Sequence, residues 1–345
     1  MTSTFQRRLC GFFSSSFLVL ASLLVAFAAC EIILRILGHR GSPRSLIRNV
    51  RFVHDPILDW RKLPGEYSEG KIVYRFNDSG FRDLNHQAPK PPGTKRIIVL
   101  GDSVTEGFGV EWNLVFAPYV QSHLGAGFEV INLAAEGLNT PQEIHLFAQE
   151  GVAYKPDILI LNFVLNDCDF YSSFKAGQRF AAEKESRITL LNLHVTPEFK
   201  SLLKSSAFLF FVKQHLEDVV GRLKGIPPTD YYTQLWANAG NRQRVILGLD
   251  QLSELRRRDP FKVVVVIWPL ITNYRNYGYT WVHKWVEQQA ASRGFDTIDL
   301  LPRFAPTPFR ELQITWEDSV HPNALGHRIA AEAFLEWFGS QRSQM

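Results

Sequence analysis

The chain has 345 residues, enough for one large α/β domain with an appendage or for two domains, with a sizeable buried core. Its 46% hydrophobic and 21% charged residues exclude a disordered chain. A net charge of +4 without an arginine-rich stripe interleaved with aromatics excludes a nucleic-acid groove, and three cysteines exclude a disulfide framework.

The first element is apolar. No charged residue occurs from Leu9 to Cys30, a length that matches the roughly 20 residues needed to cross a bilayer. The stretch exceeds the core of a signal peptide, and apolar character resumes at Ile32 to Leu37, so residues 1–38 read as a single-pass membrane anchor. Small residues at Ala26 and Ala28, and the run Phe27-Ala28-Ala29-Cys30, leave a cleaved signal as the alternative. Arg7 and Arg8 precede the segment, whereas Arg35, Arg40, Arg44, Arg48 and Arg51 follow it, a count that by the positive-inside rule keeps the large domain cytoplasmic. A charged start followed at once by an apolar helix is instead how exported single-anchor proteins begin. On that pattern the large domain is extracytoplasmic.

Residues 39–94 are rich in Pro, Gly, Asn and Asp and read as a lead-in of loops with a short hairpin. The domain proper then spans 95–340. It opens on "KRIIVLGDS", whose apolar run from Ile97 to Leu100 suits a strand buried on both faces. Comparable runs recur at Phe128 to Ala134, Pro156 to Val164, Lys262 to Pro269 and Phe295 to Leu300. Between them lie helical patterns at 112–124, 141–154, 241–258 and 279–294, and a closing helix is expected over 323–340. Strands alternating with helices predict a parallel sheet covered on both faces. The stretch of about 170–260 is too long for a simple crossover and reads as a helical insertion that can cap a site, with Phe208, Phe210 and Phe211 as core packing.

In such a sheet, ligands gather at the carboxyl ends of the strands. The first strand ends in Gly101-Asp102-Ser103, the second is followed by Glu136-Gly137, the third ends in Asn166-Asp167, and "EDSVHPNALGH" follows the fifth. The first of these has neither the lysine of a Walker loop nor the G-x-G-x-x-G of a dinucleotide fingerprint, nor the G-x-S-x-G esterase elbow. A serine nucleophile remains, which needs a base, a group to orient that base, and donors for the oxyanion. Asp318 and His321, three apart on one loop, suit an orienting carboxylate and a base whose Nε2 is left for Ser103. Each residue also has an ordinary structural reading: Ser103 as a helix cap, Asn166-Asp167 as a turn, Gly137 as a glycine with positive φ.

Taken together, these blocks resemble the SGNH hydrolases, the GDSL esterase and lipase superfamily, over Ile97 to about Ala330. "GDS" supplies Ser103 as nucleophile, "NLAAEGLNT" supplies Gly137, "LND" supplies Asn166, and "DSVHPN" supplies Asp318 and His321. The resemblance implies an oxyanion hole formed by the backbone N–H groups of Ser103 and Gly137 and the side-chain amide of Asn166. It also implies a three-layer α/β/α sandwich on a five-stranded parallel sheet, flavodoxin-like in order. Val164 stands where the third block usually carries glycine, which predicts a narrowed space beside Asn166 or a different backbone path.

The activity this implies is an acyl-enzyme esterase that removes an acyl group, acetyl foremost, from a carbohydrate or similar ester. The alternatives are an O-acyltransferase acting on envelope polysaccharide with the same triad, and a non-catalytic domain that binds a glycan or an assembly partner. Asn273 and Arg275, in the loop after the fourth strand, are candidate substrate contacts. No cofactor is implied, and His283 and His327 lack a third ligand for a metal.

Overall fold

The computed structural model of the protein describes residues 2–37, 52–53, 55, 58, 61–69, 72–169, 187–188, 193–194, 205–209, 211–212, 215–216, 231–315 and 318–341. The chain forms two compact units, Met1–Arg44 with Ala182–Pro228, and Ser45–Ala181 with Thr229–Met345.

The larger unit is built on a five-stranded sheet of β1 (Lys95–Leu100), β2 (Phe128–Asn132), β3 (Ile158–Phe163), β4 (Lys262–Ile267) and β5 (Asp296–Asp299). The spatial order is β2-β1-β3-β4-β5 and every pairing is parallel. All five expected strands are present.

Alternation along the strands explains why each reads as an unbroken apolar run. Ile98, Leu100, Leu159, Leu161, Phe163, Val263, Val265 and Ile267 face one core. Their neighbours Ile97, Val99, Ile158, Ile160, Val264 and Val266 face the other. The first core is closed by α4 (Thr140–Leu146), α5 (Ala239–Arg258) and α6 (Thr280–Ala291), the second by α3 (Phe116–Leu124) and α7 (Ala324–Gln341). Each fully buried aliphatic side chain in these layers contributes about 1.5–3 kcal/mol. A three-layer α/β/α sandwich results.

Two helical runs break where a local rule intervenes. Pro118 has no N–H to give to Leu114, so the pattern from Trp112 divides into a 3₁₀ turn at Trp112–Leu114 and α3, with Pro118 in the first helical turn. The run from Pro141 to Tyr154 becomes α4, a π turn at Phe147–Gly151 and a 3₁₀ turn at Val152–Tyr154. The Phe147 ring lies over Gly151, where a Cβ would stand 2.3 Å from it.

The lead-in carries the expected hairpin, Gly65–Glu69 paired antiparallel with Ile72–Phe76. The insertion expected over 170–260 divides differently. Tyr231–Ala237 and α5 belong to the larger unit, and α5 packs on α4 with Gly248 facing Pro141. The stretch assigned to the smaller unit is Ala182–Pro228.

In the smaller unit, α1 (Thr2–Ile36) contains a span, Phe17–Ile36, long and apolar enough to cross a membrane. Near its end Glu31 pairs with Arg35 at 2.7 Å and accepts from the Ser206 hydroxyl and from Ala207 N and Phe208 N. The Phe208 ring meets Phe27 edge-on at 5.4 Å, while Phe210 lies outside the described residues.

Candidate active site

Strand order reverses between β1 and β3, so the carboxyl ends of β2, β1 and β3 stand side by side at the switch point. Three polar features emerge there. Gly101, directly after β1, has φ +156°, and a Cβ on it would stand 2.1 Å from the Thr105 hydroxyl, so the strand can turn into α2 (Ser103–Glu106) only without a side chain. The cap of α2 is Asp102, whose carboxylate accepts from Val104 N at 2.8 Å. Because Asp102 caps the helix, the Ser103 hydroxyl is released from that role.

Ser103 Oγ instead lies 2.9 Å from His321 Nε2. His321 Nδ1 lies 3.0 Å and 3.1 Å from the two oxygens of Asp318. Asp318 also accepts from the backbone N–H groups of Val320 and His321, so one carboxylate shapes the loop and orients the ring. The loop is tied to its surroundings by Ile271 N donating to Ser319 O at 2.7 Å and by Asn323 N donating to Leu312 O at 2.7 Å. The Phe108 ring packs on the imidazole at 4.8 Å. Burial disfavours charge on His321, but the hydrogen bond to Asp318 and its charge, with Asp102 and Glu136 adding, outweigh this and raise its pKa above 6.5. Burial likewise opposes ionisation of Asp318, yet the His321 contact and the two backbone donors hold its pKa below 3.8.

Gly137 sits in the turn after β2, closed by Leu138 N donating to Ala135 O at 3.3 Å, with φ +79°. A positive φ at the third position is the type II requirement, and it turns the Glu136–Gly137 peptide over relative to a type I turn. Asn166 lies in the 3₁₀ turn Leu165–Cys168 after β3. One of its amide hydrogens goes to Asp102 Oδ2 at 2.7 Å, which fixes the side chain and leaves its second N–H for another acceptor. Val164, where the family usually carries glycine, has an extended backbone, φ −116° and ψ 156°, and its side chain is buried in the second core.

Behind this turn lie fully buried acids. Burial, then the charge of Asp167 and of Asp102, pushes the Glu143 carboxyl well above 4.5, and burial with Asp102 does the same to Asp167, despite the Thr140 hydroxyl at 3.1 Å. Burial raises Asp102 too, against its bonds from Asn166 and Val104.

The structure does not bring Asn273 and Arg275 into this group. Both are exposed, and Asn273 spends its side-chain oxygen on Arg275 N at 3.2 Å, capping a 3₁₀ turn. His283 bridges Asp299 and the Tyr277 hydroxyl, and His327 accepts from Phe116 N, its pKa pulled down to about 3 by burial. Among the described residues no three His, Cys, Asp or Glu side chains converge as a metal site. The grip of Asp102 on Asn166 was not foreseen from the sequence, since the two lie 64 residues apart. Nor was Phe108, whose position five residues after Ser103 was the available signal.

A sequence profile of the GDSL-like lipase/acylhydrolase family matches residues 99–329. An acetylxylan esterase from Xylanibacter ruminicola is 25% identical over 130 residues, covering 34% of this chain and 27% of that protein's length. Among solved structures, LAE5, an alpha/beta hydrolase enzyme from the Lake Arreo metagenome, aligns with a TM-score of 0.44 at 16% identity over 73% of this chain and 97% of its own. A variant of Axe2, an acetyl-xylooligosaccharide esterase from Geobacillus stearothermophilus, aligns with a TM-score of 0.43 at 18% identity over 72% of this chain and 95% of its own.

Proposed function

The chain belongs to the GDSL-like lipase/acylhydrolase family and is by that membership an ester hydrolase, and we propose that it removes acetyl groups from an acetylated carbohydrate through Ser103, His321 and Asp318. The observation that carries this reading is the continuous path from Ser103 Oγ through the His321 ring to Asp318, with contacts of 2.9 Å and 3.0 Å. The carbohydrate is suggested by the acetylxylan esterase relative.

In this mechanism His321 Nε2 takes the Ser103 proton as Oγ attacks the ester carbonyl, and Asp318 stabilises the imidazolium. The oxyanion is held by the N–H groups of Ser103 and Gly137 and by the second amide hydrogen of Asn166, each donor worth about 10²–10³ in rate. The imidazolium gives its proton to the leaving sugar oxygen as the carbon–oxygen bond breaks. Water then loses a proton to His321, attacks the acetyl-serine, and the same proton returns to Oγ as acetate departs. The same reading has α1 as an uncleaved anchor with the catalytic unit on the extracytoplasmic side, supported by the apolar span Phe17–Ile36.

The test is release of acetate from acetylated xylo-oligosaccharides and from p-nitrophenyl acetate, with product analysis in the presence of a free sugar acceptor. The expected result is acetate release by the wild type and a loss of at least about 10³-fold in Ser103→Ala. Acetyl transfer to the sugar in place of acetate release would contradict hydrolysis.

A further inference from the structure

The lead-in precedes the residues that match the family profile, yet it places a buried lysine beneath the site. Lys62 is 2% exposed. Its ammonium pairs with Glu106 and, at 3.2 Å, with Glu136, and lies 4.9 Å from the Phe76 ring centre. Its backbone is seated against Gly80, where a Cβ would meet the Lys62 carbonyl at 2.1 Å. A charge this deep is tolerated only when paired, and here both partners lie on elements of the candidate active site. Glu106 ends α2, the helix that Ser103 begins. Glu136 immediately precedes Gly137.

The second oxygen of Glu106 reaches further. It accepts the backbone N–H of Glu136 at 2.9 Å. One carboxylate therefore joins the helix that Ser103 begins to the turn that presents Gly137, and the Lys62 ammonium on its other oxygen holds it in place. Burial disfavours the ammonium, but the charges of Glu106 and Glu136 outweigh it and raise its pKa. The same segment braces the neighbouring loop, with Arg82 donating to the carbonyls of Glu106 and Val110 and the Tyr74 hydroxyl accepting from Gly109 N at 2.8 Å.

We propose that Lys62 is a positioning residue, which through Glu106 sets the Glu136–Gly137 peptide relative to Ser103 and so aims the Gly137 N–H at the oxyanion. The catalytic consequence rests on the proposed function, while the effect on the turn does not. Lys62→Met leaves two carboxylates facing each other with one deeply buried, so Glu106 is driven from Glu136 N and the turn loosens. In Lys62→Met/Glu106→Gln a neutral amide oxygen accepts the same N–H and no buried charge remains. A lysine with a merely structural role would give no rescue, because the double variant lacks the ion pair as well.

The experiment uses the full chain in detergent and combines hydrogen exchange of the peptide spanning residues 133–138 with kcat and KM on p-nitrophenyl acetate. Lys62→Met is expected to exchange roughly tenfold faster there, as for one lost charge-assisted hydrogen bond. Its kcat is expected to fall about 10²-fold with KM nearly unchanged, the effect of a misplaced donor. The double variant is expected to recover most of both. Unchanged exchange in a folded Lys62→Met, or impairment with no recovery in the double variant, would overturn the proposal. If Lys62→Met does not fold, Glu106→Gln against Glu106→Ala decides it: protection kept in the first and lost in the second supports the proposal, and equal exchange in the two overturns it. Should the wild type lack turnover while exchange still follows Lys62, the function falls and the positioning of the turn stands.

Discussion

In the proposed mechanism His321 takes the Ser103 proton only as the neutral base, so the acid limb of kcat/KM would report its pKa in the free enzyme. Burial alone would move that value down, but the hydrogen bond and charge of Asp318 move it up, so activity is expected to fall as pH drops through a midpoint above 6.5. In Asp318→Asn both raising influences vanish, and the midpoint is expected to shift downward while kcat drops roughly 10²–10⁴-fold as the tautomer is lost. A pH–rate profile of the two proteins checks this, and an unmoved midpoint contradicts the role of Asp318. The grouping of Ser103, His321 and Asp318 was legible in the sequence because these are chemically distinctive residues in short blocks. Lys62 was not. A buried lysine has the same signature in sequence as an exposed one, and its partners Glu106 and Glu136 lie far along the chain.

At the scale of elements, the strands were legible because burial on both faces writes an unbroken apolar run, as in Val263 to Ile267. Helix boundaries were less so: the turn at Phe147–Gly151 follows from how Phe147 packs, which periodicity does not encode. Element α4 carries its own test, the fully buried Glu143. A carboxyl whose folded pKa lies above its unfolded value favours folding while protonated, so its contribution is fully present below pH 4.5 and is lost as pH rises toward the folded value. Glutamine mimics the protonated acid at every pH. Glu143→Gln is therefore expected to match the wild type near pH 4.5 and to exceed it by roughly 1–3 kcal/mol at pH 8, read by thermal unfolding. A difference that shrinks with rising pH would contradict a protonated Glu143.

At the scale of the molecule, the charge-free run Leu9 to Cys30 disclosed an apolar segment long enough to cross a membrane, but not that Glu31, within the span Phe17–Ile36 of α1, accepts hydrogen bonds from Ser206, Ala207 and Phe208, which lie far along the chain. If α1 is a retained anchor, the protein stays in the membrane pellet after alkaline carbonate extraction and migrates at full length, whereas release of a shortened chain would show a cleaved signal. The proposed hydrolysis requires an activated serine. Its most direct test is labelling of the detergent-solubilised protein with a fluorophosphonate probe, comparing wild type with Ser103→Ala and His321→Ala. Covalent labelling of the wild type alone, at Ser103, is expected, whereas an inert wild type, or equal labelling of Ser103→Ala, would rule out an activated Ser103.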